Sequence, residues 1–180
     1  MRITPENTLA IAVDFQERLV PAMSGKDELI RNSSILLKGL AVLGVPVILT
    51  RQYPKGLGET VAEIKEAAPG QPEYDKLTFS CYDDEGIREA IRSSGRNQII
   101  LCGIEAHICV LQTALGLKED GFDVLLVENC TGSRKQADKD AALRRAMAEG
   151  ILPATYESVL FELTQIAGTP QFKEISRLIK

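Results

Sequence analysis

A glycine closes each of four helical patterns in this chain, and each glycine leads within a few residues into a short apolar run. The helical patterns cover residues 27–43, 85–94, 109–120 and 138–149, and they stop at Gly44, Gly95, Gly121 and Gly150. In the first of them Leu29, Ile30, Leu36, Leu37 and Leu40 fall on one helical face. The apolar runs cover residues 9–13, 45–50, 98–102, 124–127 and, more briefly, 151–155. They lack the polar alternation of a strand with one wet face, so they read as parallel strands covered on both sides. Strand, helix, glycine, strand is the signature of right-handed crossovers on a parallel sheet. The expected fold is α/β: three layers, a doubly wound and mostly parallel sheet of about five or six strands, with helices on both faces.

A chain of 180 residues suffices for one domain with a sizeable core, so residues 1–180 are read as a single domain. Residues 51–76, with Pro54, Gly56, Gly58, Pro69, Gly70 and Pro72, read as one long irregular stretch, a common home for function in such folds. A net charge of −4 with scattered basic residues gives no footprint for nucleic acid or an anionic membrane. No apolar run approaches the length of a membrane span, and Pro5 and Glu6 stand where a signal peptide would need its apolar core. The cysteines Cys81, Cys102, Cys109 and Cys130 are spread through core-like segments rather than spaced as a disulfide framework, which points to a reducing cytoplasm.

Ligands of open α/β sheets bind beyond the carboxyl ends of the strands. Asp14 ends the first apolar run, and Cys109 lies shortly after the third, at the expected start of a helix. A helix N-terminus favours thiolate and can hold an oxyanion. Lys76 follows the long irregular stretch. Taken singly, Asp14 reads equally as a cap or a salt-bridged carboxylate, Cys109 as a buried structural thiol and Lys76 as a solvated lysine. The glycine-rich dinucleotide and phosphate loops and the G-x-S-x-G elbow are all absent.

Taken together the three resemble the isochorismatase-like cysteine hydrolases. The opening Leu-Ala-Ile-Ala-Val-Asp-Phe-Gln-Glu-Arg-Leu resembles that family's Asp-bearing first strand, and Tyr-Asp-Lys-Leu-Thr-Phe-Ser resembles its lysine motif. Gly-Ile-Glu-Ala-His-Ile-Cys-Val at 103–110, followed by Thr113-Ala114, resembles its cysteine motif. The resemblance spans nearly the whole chain and is closest to the isochorismatase-domain branch. It implies a catalytic triad of Asp14, Lys76 and Cys109, with Cys109 forming a thioester-type intermediate on a small amide-like (C–N) metabolite. Asp14 would move the proton, and Lys76 would lend positive charge to the carboxylate and the thiolate. A cis peptide at Ile104–Glu105 is implied, with the backbone N–H groups of Glu105 and Cys109 forming the oxyanion hole. Phe15, Gln16, Tyr53, Phe79 and His107 are the candidates to line the substrate pocket.

His107 is the only histidine, so a histidine-rich metal site of the nicotinamidase kind cannot form within one chain. The expectation is no metal and no cofactor. The expected partners are a small-molecule substrate and other copies of the chain, with the apolar residues of 161–179 able to pack on a neighbour as easily as on their own sheet. Two alternatives stay open: an isochorismatase-type enol-ether hydrolase, and a non-catalytic interaction protein on the same fold.

Overall fold

The computed structural model describes residues 1–180. Its sheet is built from β1 (Thr8–Val13), β2 (Val47–Gln52), β3 (Glu73–Lys76), β4 (Gln98–Ile104), β5 (Asp123–Gly132) and β6 (Leu152–Ala154). All strand pairs are parallel, in the spatial order β3-β2-β1-β4-β5-β6. The helices are α1 (Lys26–Val42), α2 (Pro54–Leu57), α3 (Ala62–Ala67), α4 (Glu85–Ser93), α5 (Leu111–Glu119), α6 (Gln136–Ala148), α7 (Tyr156–Thr164) and α8 (Pro170–Leu178). The expected doubly wound α/β architecture is therefore the observed one.

Strand alternation divides the core into two layers. Ala10 and Ala12 of β1 face one layer with Leu36, Leu37 and Leu40 of α1, Ile64 of α3, Leu160 of α7 and Ile175 of α8. Leu9, Ile11 and Val13 face the other, with Ile87 and Ile91 of α4, Leu117 of α5 and Ala146 of α6. Leu36, Leu37 and Leu40 are fully buried, and burying each contributes about 1.5–3 kcal/mol.

The stretch at 51–76 is more ordered than its proline and glycine content suggests. It holds α2, α3 and β3. β3 reads Glu-Tyr-Asp-Lys and lies at the sheet edge, so three of its four residues are charged and no apolar run marks it. The C-terminal stretch takes the inward of the two courses open to it. Val159, Leu160, Leu163 and Ile175 of α7 and α8 are buried in the chain's own core, against α1, so these side chains are not free for a neighbour.

The sheet order reverses between β1 and β4, which sit side by side although their crossovers lie on opposite faces. Gly103 on β4 pairs with Val13 on β1, with φ 129°. A Cβ there would lie 2.2 Å from the Val13 carbonyl oxygen, so only glycine lets the two backbones meet at this seam.

Candidate active site

Asp14 follows β1 in a left-handed conformation, φ 53°, which aspartate tolerates better than most residues. It is fully buried. Its Oδ2 accepts from Lys76 Nζ at 2.8 Å, and its Oδ1 accepts from Thr50 Oγ1 at 2.8 Å. Lys76 ends β3 directly beside Gln52 at the end of β2. Its ammonium also donates to Gln52 Oε1 at 2.7 Å and to the carbonyls of Phe79 at 3.1 Å and Thr78 at 3.2 Å. Both side chains of the Asp14–Lys76 pair are wholly shielded from water.

Cys109 is 6% exposed and sits in a π-helical turn, Ala106–Val110, that runs straight into α5. The charges of Asp14 and Lys76 both act on its thiol. The structure thus brings Asp14, Lys76 and Cys109 into one buried cluster at the switch point. The peptide between Ile104 and Glu105 is cis, as the resemblance implied.

One expectation is corrected. Position near a helix start and Lys76 were expected to favour the thiolate of Cys109. Burial, and then the neighbouring Asp14 carboxylate, push the thiol well above its ordinary 9.0, and Lys76 offsets this only in part. Cys109 therefore rests as the protonated thiol near neutral pH, coupled to the charges of Asp14 and Lys76.

The proposed pocket residues divide. Phe15 is 1% exposed and packs in the core on the α1 side, so it lines no pocket. Gln16 is fully buried: its Nε2 donates to the carbonyls of Gln52 and Gly58, and its Oε1 accepts from Gln52 N. It clamps the β2 exit and has no free hydrogen for a substrate. Tyr53 and Phe79 are 51% and 56% exposed. His107 Nδ1 bonds Ser133 Oγ at 3.0 Å. Glu105 is nearly buried, and its carboxylate accepts from Arg134 N at 3.0 Å and Nε at 3.1 Å, which ties the loop after β4 to the loop after β5. A cavity of about 230 Å³ lined by Pro54, Asp75, Lys76, Leu77, Thr78 and Asp84 opens beside the cluster. The largest surface cavity, about 420 Å³ between Val20, Pro21 and α1, contains none of these groups.

Thr50 and Gln52 escaped the sequence reading. The available signal was two polar residues at i and i+2 on the end of an apolar strand, which places both on one face. Arg51 between them points to the other face, where it pairs with Glu73 and Asp75.

The buried thiols give a pH prediction. Burial raises Cys81 from 9.0 to about 11 and Cys102 to about 12 and lifts Cys130 as well. Burial alone would lower Lys76, but Asp14, Cys81 and Cys109 together outweigh it and the net shift is upward from 10.5. In each case the folded state holds its proton to a higher pH than the unfolded chain, so stability falls as pH rises. The thiols act from about pH 9, and Lys76 adds to the loss above 10.5. Denaturant midpoints are expected to hold steady between pH 7 and 8.5 and drop steeply by pH 11. A flat profile to pH 11 contradicts the assignment of these groups as buried.

A buried carboxylate–ammonium pair with a cysteine beside it thus lies at the switch point of a doubly wound sheet. The chain belongs to the isochorismatase family: the isochorismatase domain matches residues 8–158. It is 38% identical over 179 residues to isochorismatase domain-containing protein 2 of Danio rerio, covering 99% of this chain and 89% of that one. Among solved structures it resembles MAR1 ribonuclease from Caenorhabditis elegans, with TM-score 0.93, 35% identity and coverage of 99% and 92%. It also resembles YcaC. The Pseudomonas aeruginosa form, solved with hexane-2,5-diol and covalent acrylamide, has TM-score 0.91, 28% identity and coverage of 97% and 89%. The Escherichia coli form, described as an octameric hydrolase of unknown specificity, has TM-score 0.88, 26% identity and coverage of 92% and 83%.

Proposed function

We propose that the protein is a cysteine-dependent hydrolase of a small C–N metabolite, with Cys109 as nucleophile, Asp14 as acid–base and Lys76 as the fixed counter-charge. The observation that carries this reading is the buried Asp14–Lys76 pair, whose charges both act on the neighbouring Cys109 thiol. A buried ion pair contributes little net stability compared with apolar packing, so its presence beside a thiol favours a chemical role.

In the first half-reaction Sγ of Cys109 bonds to the amide carbon while its proton passes to Asp14. The backbone N–H groups of Glu105 and Cys109 would receive the oxyanion. Asp14 returns the proton to the nitrogen as the C–N bond breaks, leaving a thioester. Asp14 then takes a proton from water, the hydroxide adds to the thioester carbon, and the C–S bond breaks as the proton goes back to sulfur. Lys76 remains protonated throughout. Tyr53, Phe79 and His107 are the side chains placed to meet substrate. The covalent acrylamide in the YcaC relative supports a nucleophile in this branch. The name of the C. elegans relative raises RNA as a second substrate class, against which stands the acidic balance of 25 Asp and Glu to 21 Lys and Arg.

Incubation with a pool of small amides, enol ethers and single-stranded RNA, followed by peptide mass mapping, tests the reading. The expected result is an acyl adduct on Cys109 and release of amine. Enol-ether turnover without an adduct supports the isochorismatase-type alternative, and RNA cleavage that survives loss of Cys109 refutes the thiol mechanism. No turnover, with Cys109 also inert to acrylamide, favours an interaction protein.

We also propose a homo-oligomer, as in the octameric YcaC relative, in a reducing cytoplasm suited to four free cysteines. Sedimentation showing only monomer at micromolar concentration excludes the oligomer. No helix is long and apolar enough to cross a membrane.

A further inference from the structure

Cys81 has no part in the chemistry proposed above, yet hydrogen bonds tie it to both ends of that chemistry. It is fully buried, just after the loop whose carbonyls hold Lys76. Its Sγ lies 3.7 Å from Thr50 Oγ1. Its backbone N donates at 2.8 Å to Thr113 Oγ1, and that hydroxyl donates at 2.7 Å to the carbonyl oxygen of Cys109. One hydroxyl therefore separates Cys81 from the nucleophile's backbone, and another separates its sulfur from Asp14.

The direction of the sulfur contact can be worked out. A hydroxyl carries one hydrogen, and an ionised carboxylate only accepts. Thr50 Oγ1 at 2.8 Å from Asp14 Oδ1 has thus committed its hydrogen to Asp14. The contact with Cys81 must then be S–H donating to the hydroxyl oxygen. Burial and Asp14 keep Cys81 protonated and able to donate, its thiol being pushed up to about 11. Cys102 is the contrast: equally buried, it meets only the backbone carbonyl of Ile11, at 3.8 Å.

We propose that Cys81 is a positioning residue for the reacting pair, its S–H polarising the Thr50 hydroxyl that holds Asp14. The proposal rests on the reading of Asp14 and Cys109 as the groups that share the proton. Donors in series strengthen one another, so the S–H makes Thr50 a better donor to Oδ1. Without it, the charged carboxylate is less well held. The proton shared within the coupled Asp14–Cys109 unit is then retained to higher pH. A purely space-filling thiol would change stability but leave that proton where it is.

The test is the rise of Cys109 alkylation by iodoacetamide over about pH 6.5–8.5, where the fold holds steady and the rate follows the small thiolate fraction, followed by peptide mapping of the whole chain, which needs no substrate. In Cys81→Ala the acid limb of the labelling curve is expected to move up by about half a pH unit. In Cys81→Ser a hydroxyl restores the donor, and the limb is expected to return to the native position or slightly below it. On the Thr50→Val background Cys81→Ala is expected to add no shift, because the relay is already broken. The serine variant is close in size and keeps the test alive should the alanine variant fold poorly. An unmoved limb in Cys81→Ala, or an equal shift with and without the Thr50 hydroxyl, overturns the proposal while leaving the triad standing. A native limb that Asp14→Asn does not alter overturns the triad reading itself, and this proposal with it.

Discussion

Replacing Cys109 with alanine is expected to lower turnover by at least about a thousandfold while leaving the fold intact, because it removes the only bond-forming atom in the cluster. The thiol is nearly buried and is pushed far from its ordinary ionisation, so it serves the folded state little as a polar group. Denaturation midpoints near neutral pH should therefore change far less than activity does. The measurement is kcat on whichever small amide acylates the native enzyme, set beside an unfolding curve for the same preparation. An alanine variant retaining a tenth of native turnover would falsify covalent catalysis by this residue. Serine in the same place is expected to be nearly as inactive. Its hydroxyl would face Asp14 as the thiol does, but it is a far weaker nucleophile at neutral pH.

Lys76→Met is expected to damage both activity and folding. The ammonium is the only positive charge bonded to Asp14, and both side chains are fully shielded from water. Removing one member of a buried pair commonly costs about 3–5 kcal/mol, because the other charge is left uncompensated. Here Gln52 Oε1 and the carbonyls of Thr78 and Phe79 lose their donor too. The double variant Asp14→Asn with Lys76→Met removes the orphaned charge, and it is expected to recover a large part of the lost stability and none of the activity. Urea unfolding of the two single variants and the double variant measures the coupling directly. A loss below about 1 kcal/mol in Lys76→Met would mean that the pair is open to water in solution.

Most of the scaffold could be read from the chain because its central strands are covered on both sides and carry uninterrupted apolar runs. β1, β2, β4 and β5 announce themselves in this way, and Gly44, Gly95, Gly121 and Gly150 mark the helix ends with left-handed backbone. β3 was invisible for the opposite reason: an edge strand of Glu, Tyr, Asp and Lys meets water and the Arg51 ion pairs, so its pattern resembles a loop. α7 and α8 were likewise unassigned. Their apolar residues could be seen, but not whether they would turn inward, and that depends on the groove along α1.

For the site, the ends of the strands and the family motifs located Asp14, Lys76 and Cys109. What the motifs could not convey was burial. Gln16 looked like a reaching amide and is spent on the β2 exit, and Phe15 looked like a pocket wall and belongs to the core. Burial also reverses the expected state of Cys109, since removing water from a thiol beside a carboxylate outweighs the nearby ammonium.

The contact between Gly103 and Val13 divides the labour of the molecule. The carboxylate, its lysine and the polar groups that hold them come from β1, β2, β3 and the segments that leave them, while the thiol is carried by the segment leaving β4. Their alignment is set where two main chains touch without any side chain between them. Exposed side chains at the mouth, such as those of Tyr53 and Phe79, can be exchanged while the main-chain carbonyls that hold Lys76 stay in place. Such a molecule is free to exchange one substrate for another at its rim while the reactive centre beneath keeps its gauge.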